Sequence, residues 1–60
     1  MPDGFAAALA ANDTARHFFD ALPNSLQRYH VDNVATAKTP ETRQRRIDKA
    51  VALFQQGKRR

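Results

Sequence analysis

The stretch Ala37-Lys38-Thr39-Pro40-Glu41-Thr42-Arg43-Gln44-Arg45-Arg46-Ile47 decides how this chain folds. Thr39 ahead of Pro40 has the form of an N-cap followed by a first helical residue. The threonine hydroxyl accepts an orphan backbone N–H, and proline's φ is already helical while its missing N–H is no loss there. Glu41 adds a carboxylate to the first turn, where the helix dipole favours negative charge. Beyond it Arg43, Ile47, Ala50, Val51 and Phe54 recur at helical spacing and define one face. Arg45, Asp48, Lys49, Ala52 and Gln56 fall on the opposite side, with Glu41 and Arg45 in the favourable i,i+4 order. Gly57 supplies a left-handed position after the last turn. The pattern therefore predicts a helix over 40–56 and, in Lys58-Arg59-Arg60, a basic disordered tail.

Arg43 is the odd member of the apolar stripe. An arginine heading a buried stripe needs acceptors, because burying an unpaired charge is very costly. The expected acceptors are the free carbonyls that end the preceding helix, near Ala35 to Ala37, or the carboxylates of Asp20 or Asp32. A competing reading sets Arg43 and Arg46 beside the helix N-terminus to hold a phosphate or carboxylate, although Glu41 would repel such an anion. The structural role is the favoured one.

Working outward, the remainder also reads as short helices. Asp3 is placed to cap a first helix over 4–11, on which Phe5, Ala8 and Leu9 share a face. Asn12-Asp13 breaks the chain and offers a cap to a second helix over 14–22. Its stripe is Ala15, Phe18, Phe19 and Leu22, with Arg16 and Asp20 paired at i,i+4. Pro23 closes it. Asn24 with Gln27 forms a capping-box pattern opening a third helix over 25–37, where Leu26, His30, Val34 and Ala37 align and Tyr29 and Asn33 sit on one flank. This stripe is the least clean of the four and marks the third helix for local disorder or partner contact. No strand pattern or internal repeat interrupts the series, and the short connections suit an antiparallel helical array.

Sixty residues make one domain at most, taken here as 1–57 with 58–60 as the tail. Of the 25 apolar residues, 11 are alanines, so the expected core rests on Phe5, Leu9, Phe18, Phe19, Leu22, Leu26, Val34, Ile47, Val51 and Phe54. A chain this short buries only about 60% of its unfolded surface and has little material to enclose an active-site pocket. With no cysteine there is neither a disulfide framework nor a thiolate zinc site, which agrees with a reducing cytoplasm. The apolar run from Phe5 to Ala11 is too short to span a bilayer, and Met1-Pro2-Asp3 lacks the basic start of a secretory signal. No membrane insertion is expected, and a basic amphipathic last helix cannot give Ile47, Val51 and Phe54 to both a core and a bilayer.

Charge is unevenly spread. Residues 1–36 carry two basic and four acidic side chains, net −2, whereas residues 37–60 carry eight basic and two acidic, net +6. This asymmetry reads first as the charged exposed face of a small soluble domain, and second as an electrostatic footprint on the last helix and tail. Catalytic signals are missing by comparison. His17 and His30 are too far apart for an i,i+4 metal pair, and His30 on an inner face reads as a hydrogen-bonded interior histidine. Ser25 belongs to a helix start, the aspartates show no acid–base spacing, and two glycines form no phosphate-cradling loop.

The run Ala37-Lys38, Pro40-Glu41-Thr42-Arg43 and Arg46-Ile47 resembles the C-terminal helical segment of the YdeI/OmpD-associated family of bacteriocin-protection proteins. Leu9-Ala10-Ala11-Asn12 and Phe18-Phe19-Asp20-Ala21-Leu22 fit the same segment in the same order, so the resemblance spans nearly all 60 residues. The chain departs from the family at His30 and Asn33, which are usually aromatic there, and at Asp13, which is often proline. The resemblance implies that longer relatives place a small β domain ahead of this segment. The family name implies protection from bacteriocins or association with a porin, which is not a mechanism.

These readings converge on an all-α fold, a small bundle of three to four short helices with no cofactor and no metal site. The expected function is a non-catalytic interaction module. A protein partner, such as that β domain of longer relatives, is expected at the third helix and the surface 38–46. Lys38, Thr42, Arg43, Arg45, Arg46 and Lys49 are the candidate partner or anion contacts. The alternative is a small basic nucleic-acid-binding domain of helix-turn-helix type. Thr42, Gln44 and Arg45 would then meet base edges, while Arg46, Lys49 and the tail met phosphates.

Overall fold

Thr39 does cap the last helix: its Oγ1 accepts the Thr42 N–H at 3.1 Å and donates to Thr42 Oγ1 at 2.9 Å. The structure is a computed structural model that describes residues 2–60 and, of Asp3, the backbone. Among the described residues the order is α1 (Asp3–Ala10), α2 (Asp13–Ala21), α3 (Asn24–Ala35) and α4 (Pro40–Gln55), with no strand. The all-α bundle expected from sequence is thus the fold observed.

Each boundary has a local cause. Pro2 occupies the N-cap of α1, and the expected capping side chain of Asp3 lies outside the described residues. Asn12 turns extended and its Oδ1 accepts the Ala15 N–H at 3.1 Å, which restarts the chain as α2. Leu22 is extended ahead of Pro23, as a residue before proline prefers to be. The expected Asn24–Gln27 capping box does not form. Pro23 takes the cap position instead, and its carbonyl accepts from the Leu26 and Gln27 N–H groups at 3.0 Å. Asn24 therefore starts inside the helix, where its side chain cannot cap. The Gln27 amide turns to the carbonyls ending α2, reaching Phe19 O at 3.0 Å and Asp20 O at 3.3 Å.

At the far end of α4, Gly57 adopts φ +74°. The Lys58 N–H returns to Leu53 O at 3.1 Å and the Gly57 N–H to Phe54 O at 3.0 Å, a Schellman closure. Arg16 pairs backward with Asp13 at 3.6 Å rather than forward with Asp20, and both partners are exposed.

α4 packs substantially against each of the other three helices, and α1 also packs against α2, while α3 meets α1 and α2 only lightly. Phe54 sits where these contacts meet. Its ring lies 5.8 Å from Phe18 and from Phe19 and 4.8 Å from His30, while Phe5 meets Phe19 edge-on at 5.6 Å. Phe5, Val34, Ile47 and Phe54 are the largest fully enclosed side chains. Of the expected core, Phe18, Leu26 and Val51 are only half-buried, while Ala15, Ala37 and Ala50 are buried instead. Ala37 is covered in the connection between α3 and α4, whereas Ala15 and Ala50 sit at helix contacts, where a small side chain lets backbones approach. Gly4 does the same for α1: a Cβ there would stand 3.2 Å from Ile47 Cδ1. The radius of gyration, 10.3 Å, matches the value of about 10 Å expected for one packed unit of this length.

Arg43 overturns an expectation. It is exposed, although it lies on the same helical face as Ile47, Ala50 and Phe54. No residue of α4 before Ile47 is buried, so its first turns project past the covered part of the bundle and leave Arg43 in water. The cation that does reach the end of the preceding helix is Arg46, whose Nη1 donates to Asn33 O at 2.8 Å.

A candidate interaction cleft between α3 and α4

The bond from Arg46 explains how one wall of a cleft is held. In the last turn of α3, the Thr36 and Ala37 N–H groups go to Asp32 O and Val34 O. The Asn33 carbonyl is satisfied by the Arg46 guanidinium at 2.8 Å and the Thr36 hydroxyl at 3.3 Å. Arg46 also reaches Thr36 Oγ1 at 3.4 Å. A cation at a helix C-terminus gains from the dipole as well as from the charged hydrogen bond.

Successive turns of α4 then present Lys49, Ala50 and Leu53 beside Arg46, and α3 presents Tyr29, His30 and Asn33. Between them lies a cleft of 270 Å³, which Arg60 closes on one side. Its inner wall is His30, 4% exposed, with Tyr29 edge-on at 5.0 Å and Phe54 edge-on at 4.8 Å. The Nε2–H of His30 donates to the Arg59 carbonyl at 2.9 Å, which fixes that nitrogen as the protonated one. His30 is therefore the bonded interior histidine its position suggested. Arg60 lies 4.5 Å above the Tyr29 ring centre, in cation–π contact. Residues 58–60 are thus attached to α3 by one hydrogen bond and one ring contact.

Of the six candidate contact residues, the structure brings only Arg46 and Lys49 together in this cleft. Lys38 is exposed in the connection to α4, and Arg43 and Arg45 are exposed on its opening turns. Thr42 is half-buried with its hydroxyl engaged by Thr39. The amide of Gln44, assigned to base edges in the nucleic-acid alternative, donates to Asp48 Oδ1 at 2.9 Å. Tyr29, Asn33 and Leu53 were not singled out as contacts, although the spacings 29/33 and 46/49/50/53 carry the signal. Arg60 had no local signal, since its place depends on the fold. A second, shallower groove of 330 Å³ lies along α2 and α3, where Arg28 and Asp32 bring opposite charges.

Helix order, core and cleft define a small all-α domain built on its C-terminal helix. The chain belongs to the family described as Bacteriocin-protection, YdeI or OmpD-Associated, whose family model matches residues 1–57. Neither a curated protein nor a solved structure matches it. Among the described residues no helix is long and apolar enough to cross a membrane.

Proposed function

We propose that this chain is a non-catalytic interaction module that binds a protein partner through the α3–α4 cleft and the adjoining start of α4. The observation that carries this reading is the cleft itself. It combines a large exposed ring, Tyr29 at 43%, with a half-buried Leu53 and the cations Arg46, Lys49 and Arg60. Aromatic and arginine side chains around a partly apolar hollow are the composition of interaction hot spots. Membership of the bacteriocin-protection family names neither an activity nor a partner, so the reading rests on the cleft.

Photo-crosslinking tests the reading. A benzoylphenylalanine replaces Tyr29 or Asn33 in one set of chains and Ala6, exposed on α1, in another. Irradiation of cells expressing each chain is expected to give adducts of discrete mass from the two cleft positions and none from Ala6. Adducts formed equally at all three, or at none, would remove the cleft as a binding surface.

A further inference from the structure

We infer that the α3–α4 cleft takes an acidic protein segment, an Asp or Glu side chain flanked by an apolar one. This rests on the interaction reading above and specifies its partner's chemistry. Three cations converge on one hollow from separate places. Arg46 and Lys49 come from successive turns of α4, and Arg60 from the residues that follow it. Among the described residues no Asp or Glu lines the cleft, and none lies within 4.0 Å of these three cations. Like charges gathered in a concave wall focus their potential on whatever enters it.

The hydrogen bonding leaves room for a carboxylate. A guanidinium has five N–H donors, and Arg46 places Nη1 on the Asn33 carbonyl and Thr36 hydroxyl, so the rest of its fork remains. That bond also holds Arg46 in position before a partner arrives, which lowers the ordering cost of binding. Beside the cations, the half-buried Leu53 offers apolar surface to a neighbouring side chain.

The same details favour protein over nucleic acid. At 270 Å³ the cleft suits one or two side chains rather than a track of nucleotides. Base stacking uses an open aromatic face, and Arg60 occupies one of the two faces of the Tyr29 ring at 4.5 Å. Of the three side chains assigned to base edges at the start of α4, Thr42 and Gln44 are bonded to Thr39 and Asp48, which leaves the exposed Arg45 alone for that task.

The test titrates the ¹⁵N-labelled 60-residue chain with an end-capped hexapeptide of alternating Glu and Leu, and with its Gln/Leu counterpart. The Glu peptide is expected to move the amides of Tyr29, Asn33, Lys49 and Leu53 saturably, and the Gln peptide to bind about tenfold more weakly. Lys49→Glu, at an exposed position, is expected to weaken the Glu peptide about fivefold, while Arg16→Glu on α2 changes it less than about twofold. Helical circular dichroism confirms that both variants are folded. Equal binding of the two peptides, no response at millimolar Glu peptide, or equal losses in the two variants would overturn the inference. So would duplex DNA of matched charge moving the same amides at lower concentration. Such a failure, with crosslinks still forming from Tyr29 and Asn33, retires the acidic chemistry and leaves the interaction reading standing. Loss of the crosslinks retires both.

Discussion

Arg46 Nη1 donates to the Asn33 carbonyl at 2.8 Å, and this bond joins the early part of α4 to the last turn of α3. It closes an acceptor that the α3 backbone leaves open, because the Ala37 N–H turns to Val34 instead. It also sets the direction of a side chain that lines the candidate cleft.

Arg46→Ala is expected to cost about 1 kcal/mol, which lowers the melting temperature of a domain this size by about 4–8 °C. Arg43→Ala, at an exposed position three residues earlier, is expected to change stability by less than about 0.5 kcal/mol. Thermal unfolding of the two variants side by side decides the matter. Equal effects would mean that the Asn33 bond contributes nothing.

Phe54 touches the ring clusters of α2 and α3 together. Phe54→Ala removes about 3–5 kcal/mol, and a 60-residue domain holds only about 3–9 kcal/mol in total. Far-ultraviolet circular dichroism at 37 °C is expected to show most of the helix signal lost in Phe54→Ala and kept in Phe54→Leu. A folded Phe54→Ala would place the centre of the core elsewhere.

Gly57 ends α4 at φ +74°, where a Cβ is strained even though the surrounding space is open. Gly57→Ala is expected to destabilise by about 1 kcal/mol, and Gly57→Asn by less, because asparagine tolerates the left-handed region. Urea denaturation measures both. Unchanged stability in Gly57→Ala would show that the Schellman closure adds nothing to the fold.

His30 anchors residues 58–60 through the Arg59 carbonyl at 2.9 Å. His30→Leu keeps apolar bulk against Phe54 and removes the N–H donor. The amide order parameters of residues 58–60 are expected to fall below about 0.6, while those of the helices remain near about 0.85. Unaltered relaxation at those residues would assign the anchoring to the Arg60–Tyr29 contact alone.

Much of this architecture was legible one residue at a time. Thr39-Pro40, Asn12, Pro23 and Gly57 act through backbone geometry and bonds to residues within a few positions, so a linear reading can find them. The apolar faces of α2 and α4 were equally clear, because helical periodicity is itself a local property. The Asn24–Gln27 box failed for a reason still visible in the chain: Pro23 takes the cap and moves Asn24 into the first turn.

Other features were settled by packing alone. Helical spacing says which face Arg43 occupies, but not where along α4 the neighbouring helices stop covering it. Arg46 shares no local pattern with Asn33, and Arg60 none with Tyr29. Each pair meets because four helices pack at particular depths and angles, which short-range preferences do not encode. The amino-acid order by itself therefore determined the helices, their caps and the charge of the last segment. Only the tertiary structure decided which of those charges are tethered and which share a hollow, since side chains distant in sequence become neighbours only when their supports are packed together.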